Sequence, residues 1–162
     1  MSLSGNFENK VVLVTGSSSG IGEATVLLFA KFGAKVVVTG RNASNIAKVA
    51  QQCSKCSPHG LKALEVVADL TKDEDCKKLI QKTIDTFGQI DILVNNAGAG
   101  AFSSISDQKI MDVYEHIMKT DLRSVVYLTH LAIPHLEKTK GVIINISSVA
   151  GLKPVSRYFV MQ

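Results

Sequence analysis

The sequence lacks any apolar run of the roughly 18–20 residues that a membrane-spanning helix requires. Its first residues, MSLSGNFENK, also lack the cationic start and apolar stretch of a secretory signal. These two absences favour a cytoplasmic location and no membrane partner. The chain has 162 residues, 46% of them apolar and 20% charged, and it shows no repeats, low-complexity tracts or linkers. We therefore expect one globular domain over residues 1–162.

Cysteine is scarce, because the chain contains only Cys53, Cys56 and Cys76. An odd number of cysteines in a chain with no export signal argues for free thiols. A structural zinc site needs four ligands, and the C-x-x-C pair at 53–56 has no second pair at suitable spacing. A redox pair would start a helix, whereas this pair follows a helical stretch. We expect helix-end packing and no metal site.

A strongly basic surface is also missing. The net charge is only +4, and the lysines and arginines do not form a long run. Nucleic acid is therefore not an expected partner.

Apolar runs alternate with helical patterns along the chain. KVVLVTG at 10–16 is continuous and rich in β-branched residues, which is typical of a strand buried on both faces. Apolar residues then recur at helical spacing over 20–32, and Gly33 ends that helix. Alternation of this kind predicts a doubly wound, mostly parallel α/β sheet in the order 3-2-1-4-5. The predicted strands are 10–16, 34–40, 61–70, 90–98 and 141–147.

The later helices carry two local signals. TKDE at 71–74 predicts a capping box, in which Thr71 caps a helix and Glu74 occupies its third position. Before the last strand, residues 107–118 and 120–136 are predicted to be helical, with a bend at Pro134.

The loop after the first strand, TGSSSGIG at 15–22, places Gly16, Gly20 and Gly22 between a strand and a helix. Glycine there permits a tight turn and a close approach of a phosphate to the backbone. The following helix start offers unpaired N–H groups to a pyrophosphate. No Gly-Lys-Ser/Thr follows, so a Walker-type loop is disfavoured. The context favours a dinucleotide over a merely tight turn.

The end of the second strand indicates which dinucleotide is expected. Enzymes that prefer NAD have an acidic residue here, which accepts a hydrogen bond from the ribose 2′-hydroxyl. This chain has Gly40 and Arg41 instead. Because a guanidinium suits a phosphate, NADP(H) is favoured over NAD(H), although a solvent-facing arginine is the alternative.

Six motifs together resemble the short-chain dehydrogenases/reductases, close to the 3-oxoacyl-carrier-protein reductase-like and hydroxysteroid-dehydrogenase-like members. They cover residues 8 to about 154, in the order TGSSSGIG, TGR, ADL at 68–70, NNAG at 95–98, LRSVVYLTHLAIPHL and IINISSVAG. The resemblance implies a Rossmann-like fold. It also implies hydride transfer between a nicotinamide coenzyme and a small carbonyl or alcohol substrate.

The resemblance also implies roles for individual residues. Arg41 would bind the 2′-phosphate, Asp69 and Leu70 would bracket the adenine, and Ser148 would hold the substrate oxygen. Asn96, Ala97 and Gly98 would support the adenine-side ribose and the central strand. The pyrophosphate loop would comprise Gly16, Ser18, Ser19, Gly20, Ile21 and Gly22. Each could instead serve packing or turn formation alone, and Asp69 is a plausible turn residue.

The sequence departs from the family at its catalytic residues. The family's tyrosine stands about thirteen residues after the serine, which is Met161 here, and Tyr158 is followed four residues later by Gln162 rather than lysine. Without an adjacent cation a tyrosine keeps a pKa near 10 and is a poor base. Asp121 stands where the family has an asparagine that holds a relay water. Tyr158 is thus a weak catalytic candidate, and Asp121 an altered one.

Two functions remain open, besides a non-nucleotide interaction domain. The family reading is an NADP-dependent oxidoreductase, and the alternative is an NADP-binding module without turnover, truncated before the catalytic helix and ending in a divergent tail at 155–162. An alternative transcript end, a shortened gene model or a fragment would each explain that ending. A sheet that stops at its fifth strand predicts marginal stability and self-association through the exposed edge.

Overall fold

The computed structural model describes residues 6–149 and 159–161. Five parallel strands form one sheet: β1 (Val11–Val14), β2 (Lys35–Gly40), β3 (Leu64–Val67), β4 (Ile92–Asn95) and β6 (Val142–Asn145). Their spatial order is β3-β2-β1-β4-β6. This is the predicted Rossmann-like order, with β6 as the fifth predicted strand, so the fold prediction is confirmed.

Helices cover both faces of this sheet, because each central strand is apolar at consecutive positions. Val12 and Val14 of β1 pack into one buried cluster and Leu13 into the other. The first cluster includes residues from α1 (Gly20–Lys31) and α2 (Ala43–Cys56), and the second includes residues from α3 (Asp73–Phe87) and α5 (Ser124–Thr139). The sheet is therefore the middle of three layers, and its strand ends remain free to build a site.

The two predicted helices at 107–118 and 120–136 are one continuous helical path. α4 (Ile110–Ile117) leads into a π-helical turn at Met118–Arg123, and α5 follows directly. Pro134 lies inside α5. Both predicted helical stretches are therefore present, and wider π-type turns, which often occur at functional sites, join them.

The predicted capping box at Thr71 and Glu74 is also wrong. α3 starts at Asp73, its N-cap is Lys72, and no side chain caps it. Thr71 Oγ1 donates to Asp69 Oδ1 at 2.8 Å instead, while Glu74 Oε1 accepts from Lys77 Nζ at 2.7 Å. The helix therefore starts one residue later than the box requires, so Thr71 precedes the N-cap, and its hydroxyl donates to Asp69 instead.

A small second sheet was not predicted. β5 (Ala101–Ser103) pairs antiparallel with β7 (Phe159–Met161). Both strands have three residues, which is too short for an apolar pattern to reveal them. Within the described ranges no helix has the length and apolar character to cross a membrane.

Candidate functional site

The carboxyl ends of the parallel strands meet at one edge of the sheet, as the topology requires. A cavity of about 360 Å³ opens there. The loops after β1, β2, β3 and β4 all contribute to its wall, together with the π-helical turn. The lining residues are Gly16, Ser18, Ser19, Ile21, Thr39, Gly40, Arg41, Ala68, Asp69, Leu70, Thr71, Asn96, Ala97, Gly98 and Thr120.

The cavity contains every residue predicted to bind the coenzyme except Gly20 and Gly22. Gly20 begins α1 with φ +59°, and a Cβ there would meet nothing within 4 Å. Gly22 is buried beneath the loop, where a Cβ would lie 2.5 Å from both Gly16 O and Asn96 Nδ2. Gly22 therefore allows the loop after β1 and the loop after β4 to pack together.

Those two loops are also joined by hydrogen bonds. Thr15 Oγ1 accepts from the backbone N–H groups of Asn96, at 2.8 Å, and Ala97, at 2.9 Å. Asn96 Nδ2 donates to Thr15 O at 2.9 Å. A Cβ on Gly16, which has φ +63°, would stand 2.9 Å from Ala97 Cα. These bonds and this close contact hold the loop after β1 against the loop after β4.

The loop after β2 presents Arg41, whose side chain is exposed. Thr39, two residues earlier, is 1% exposed, and its Oγ1 has no hydrogen-bond partner within the described residues. Buried hydroxyls usually have a partner, so an unpaired one at a cavity suggests that a ligand supplies it. Sequence reasoning missed Thr39, although its position at the end of a parallel strand would have been sufficient to find it.

Among the described residues that line the cavity, Asp69 is the only carboxylate, and its side chain already accepts hydrogen bonds from Thr71. Its Oδ1 accepts from Thr71 N at 3.1 Å and from Thr71 Oγ1 at 2.8 Å. Burial alone would raise its pKa, but these bonds, with Lys72 and Arg41 nearby, hold the pKa of Asp69 below its ordinary value. Asp69 therefore has the turn role that the sequence left open, which does not exclude contact with an adenine.

Asp121 lies on the π-helical turn and reaches the loop after β4. Its Oδ1 accepts from Ala99 N at 2.8 Å, and a Cβ on Gly98 would be 3.6 Å from that oxygen. Burial raises the pKa of Asp121, although the Ala99 N–H and His116 act in the opposite direction. The side chain thus links two parts of the cavity wall and titrates closer to neutral pH than an ordinary aspartate.

The remaining predicted residues lie near the same edge or outside the described ranges. Asn95 and Asn145 pair in register at the ends of β4 and β6, so Ser148, three residues later, follows the same edge of the sheet. Met161, at the register of the family's tyrosine, pairs with Ala101 in the small sheet. Tyr158 and Gln162 lie outside the described residues.

The cysteines are free thiols, and Cys53 and Cys56 both belong to α2. Burial raises the pKa of Cys53 to about 12 and that of Cys76 to about 11. Thiols with such values are poor nucleophiles and poor metal ligands. The described residues contain no group of three or more His, Cys, Asp or Glu side chains suited to a metal ion.

A family model described as short chain dehydrogenase matches residues 10–160. Among curated proteins, the chain is 42% identical over 149 residues to 11-beta-hydroxysteroid dehydrogenase-like 4A of Arabidopsis thaliana, covering 91% of this chain and 49% of that protein. It is 36% identical over 152 residues to an 11-beta-hydroxysteroid dehydrogenase of Pinus massoniana, covering 94% and 42%. The chain spans about half the length of the curated relatives it matches.

Solved structures give the same picture. The apo form of a glucose dehydrogenase from Caenorhabditis elegans superimposes with a TM-score of 0.78 at 42% identity, over 90% of this chain and 57% of that one. A 7 alpha-hydroxysteroid dehydrogenase complexed with NADH and 7-oxo glycochenodeoxycholic acid gives a TM-score of 0.86 at 30% identity, over 93% and 57%.

Proposed function

The chain belongs to the short-chain dehydrogenase family, and on that premise we propose that its cavity binds the adenine half of NADP(H). The observation that carries this proposal is the convergence of four strand-end loops on one cavity, whose lining includes Gly16, Gly40 and Gly98. The start of α1 adds unpaired backbone N–H groups that suit a pyrophosphate.

The residues present fit such a coenzyme. Gly16 lines the cavity, and Gly22 beneath it lets the loops after β1 and β4 pack together. Thr39 Oγ1 is a buried hydroxyl without a partner in the described part of the chain. Leu70 and Ala68 supply apolar surface on the side where an adenine would lie. In this proposal, the remaining loop residues Ser18, Ser19, Gly20 and Ile21 border the phosphates, and Asn96, Ala97 and Gly98 border the ribose.

NADP(H) is the preferred coenzyme in this proposal. No carboxylate other than Asp69 lines the cavity within the described residues, and Asp69 Oδ1 already accepts two hydrogen bonds from Thr71. A ribose 2′-hydroxyl would therefore lack the acceptor that NAD-specific sites provide. Arg41 offers donors that match a 2′-phosphate instead.

The coenzyme proposal is tested by titrating NADPH and NADH against the Arg41→Ala variant, following coenzyme fluorescence. One lost charge-assisted interaction should weaken NADPH binding about tenfold or more and leave NADH within about threefold. Lys48→Ala removes the same charge from an exposed position on α2 and serves as the control. An unmodified chain that binds neither coenzyme would refute the proposal.

We propose that the protein catalyses hydride transfer between NADP(H) and a small carbonyl or alcohol substrate. Bound coenzyme would supply or accept the hydride. Ser148 would donate a hydrogen bond to the substrate oxygen, and Asp121 would hold the loop after β4 in place through Ala99 N. Both residues belong to the same carboxyl edge of the sheet, which supports placing the reaction there.

A second candidate function is coenzyme binding without turnover. It is favoured by the sequence: counted from Ser148, the family's tyrosine falls on Met161, which cannot transfer a proton. Counted from Tyr158, the family's lysine falls on Gln162, which carries no charge. An assay of NADPH oxidation with a panel of ketones distinguishes the two. Turnover above the uncatalysed rate supports the oxidoreductase, while tight NADPH binding with no turnover supports the binding module.

We further propose that the chain self-associates. Val142 and Ile144 are exposed on β6, which is an outer strand of the sheet in the described ranges, and Val126 and Ile133 are exposed on α5. Exposed apolar patches and strand edges promote association. Sedimentation velocity at rising concentration should show a larger species, and Val142→Lys should reduce it.

A further inference from the structure

Ser124 closes the π-helical turn at Met118–Arg123 with both of its hydrogen-bond donors. Its backbone N–H donates to Lys119 O, five residues earlier, rather than to Thr120 O, which is the acceptor that an α-helix would use. The Ser124 hydroxyl donates to Thr120 O instead. Ser124 is only 2% exposed. The serine therefore provides a buried partner for the carbonyl that the π-type bond bypasses.

Arg123 joins the end of the same turn to α3. Its Nη1 donates to Asp73 Oδ1 at 2.6 Å, and its Nη2 donates to Asp73 Oδ2 at 2.9 Å. The guanidinium also lies 5.6 Å from the centre of the Tyr127 ring. A single exposed ion pair contributes little, but a planar fork bound at two points fixes the orientation of both side chains. The first residue of α3 is thus coupled to the last residue of the turn.

The register of this turn decides which residues reach the cavity. Thr120 lines the cavity, and Asp121 Oδ1 accepts from Ala99 N at 2.8 Å. The helix that follows, α5, is fixed in the core by Leu128 and Ala132, which are both fully buried. A π-type turn holds about one residue more than an α-helical turn, so its relaxation would rotate the preceding residues by about 100° around the helix axis. Thr120 would then leave the cavity wall, and Asp121 would lose Ala99 N.

Resting on the proposed function, we propose that Arg123 and Ser124 are positioning residues, which hold the π-helical turn in the register that presents Thr120 to the coenzyme cavity. Neither of them is among the described residues that line the cavity. They act from two sides, since the serine bonds within the helical path and the arginine bonds to α3. Removal of either interaction should therefore loosen the turn.

The first test measures hydrogen exchange of the Ala99 amide by NMR, because Asp121 joins this N–H to the turn. Arg123→Gln and Ser124→Ala should each speed exchange at Ala99 about tenfold or more. The Asn96 amide, which bonds outside the turn, should change less than about twofold. A general loss of stability would speed exchange at both amides, so the ratio of the two rates reports the register of the turn.

The charge control compares neighbouring carboxylates at the start of α3. Asp73→Asn should speed exchange at Ala99 as much as Arg123→Gln does, and the double variant should add nothing, because both changes break one interaction. Glu74→Gln removes the same charge one residue later, but Glu74 pairs with Lys77 at 2.7 Å. Exchange at Ala99 should therefore stay within about twofold in Glu74→Gln.

The hydroxyl control uses Thr83, which is fully buried and donates to Leu79 O within α3 at 2.8 Å. Thr83→Val and Ser124→Ala each remove a buried hydroxyl that bonds four residues back, but only Ser124 closes the π-helical turn. Thr83→Val should therefore leave the ratio of the two exchange rates unchanged. Equal changes of that ratio in the two variants would overturn the role of Ser124.

NADPH titration separates this inference from the proposed function. Arg123→Gln and Ser124→Ala should weaken NADPH binding about threefold or more, because Thr120 no longer lines the cavity. If the unmodified chain binds neither coenzyme, the proposed function fails, while exchange at Ala99 still decides whether the two residues hold the turn. If the chain binds NADPH and both variants bind it equally well, or if exchange at Ala99 and Asn96 accelerates alike, the inference alone is overturned.

Discussion

Thr15 and Asn96 hold each other through two hydrogen bonds, one to the Thr15 hydroxyl and one to its carbonyl, at 2.8 and 2.9 Å. Thr15→Val keeps the shape of the side chain but leaves the Asn96 and Ala97 N–H groups without their acceptor. Each unsatisfied N–H group costs about 1–3 kcal/mol. We expect Thr15→Val to lower the free energy of unfolding by about 2–4 kcal/mol, measured by urea denaturation.

The control for this change is Thr25→Val on α1. Thr25 Oγ1 donates to Ile21 O at 2.8 Å within the same helix and in contact with solvent. Losing this hydrogen bond should lower the free energy of unfolding by less than about 1 kcal/mol. Equal effects of the two substitutions would mean that the Thr15 bonds contribute little to joining β1 and β4.

Gly16 and Gly60 form a matched pair for testing the close packing of the site. Both have left-handed backbones, with φ +63° and +60°, but a Cβ meets Ala97 Cα at 2.9 Å only at position 16, and nothing within 4 Å at position 60. Gly60→Ala should lower the free energy of unfolding by about 1–2 kcal/mol, because alanine is strained in a left-handed backbone. Gly16→Ala should cost at least about 1 kcal/mol more and weaken NADPH binding at least tenfold. Thermal unfolding measures the change in stability, and coenzyme titration measures the change in NADPH affinity. If Gly16→Ala and Gly60→Ala behaved alike, the close packing at Gly16 would be contradicted.

The sequence was sufficient to predict the sheet because strand identity is encoded locally. Continuous β-branched runs such as 10–16 are typical of buried strands, and their alternation with helices favours a parallel sheet with few possible strand orders. The strand order also predicted that the glycine-rich loop and Arg41 would lie at the same cavity, because the carboxyl ends of parallel strands meet at one edge of the sheet. Strand limits were overestimated, as at 61–70 against Leu64–Val67, because apolar residues continue into the adjoining turns.

Other features depend on contacts in the folded chain, which a sequence pattern does not reveal. The hydroxyl of Thr71 donates to Asp69, and α3 starts after Lys72, which only the folded loop shows. The π-helical turn that brings Thr120 to the cavity has no sequence signature of its own. The contact between Ser18 and Gly40 joins two loops twenty-two residues apart and required three-dimensional geometry.

We expect ionisation of Asp121 to lower the free energy of unfolding as the pH rises, which is the opposite of the usual effect of an aspartate. Burial raises its folded-state pKa, so the folded chain holds the proton more tightly than the unfolded chain, and ionisation opposes folding as the pH rises above about 4. Asp121→Asn keeps an oxygen for Ala99 N and removes the buried charge. It should raise the free energy of unfolding at pH 7 by up to about 1 kcal/mol.

That difference should shrink as the pH is lowered from 7 towards 4, where Asp121 itself becomes neutral. Urea denaturation at several pH values measures it. Asp121→Ala is the comparison, because it removes the acceptor of Ala99 N as well and should destabilise the chain at every pH. An Asp121→Asn variant that is less stable than the original chain at pH 7 would show that the carboxylate charge favours the fold.

Asp91 should show the opposite dependence on pH. Its side chain is 5% exposed and accepts from Val11 N at 2.8 Å, Lys10 Nζ at 2.9 Å and Gln89 Nε2 at 2.7 Å. Burial would raise its pKa, but these three donors outweigh burial and hold the pKa of Asp91 below its ordinary value. The ionised carboxylate therefore stabilises the fold fully above pH about 4, and this contribution is lost as the pH falls through the folded-state pKa.

Asp91→Asn should therefore lower the free energy of unfolding by about 2 kcal/mol at pH 7. The amide N–H groups of the new asparagine would also face the donors Val11 N and Lys10 Nζ, and this donor–donor contact lowers the free energy of unfolding further. The deficit should diminish below pH 4, since Asp91 of the original chain is then becoming protonated. Asp112→Asn, at an exposed position on α4, is the control and should change stability by less than about 0.5 kcal/mol. A deficit that stays constant from pH 7 to pH 3 would show that Asp91 acts through its shape rather than its charge.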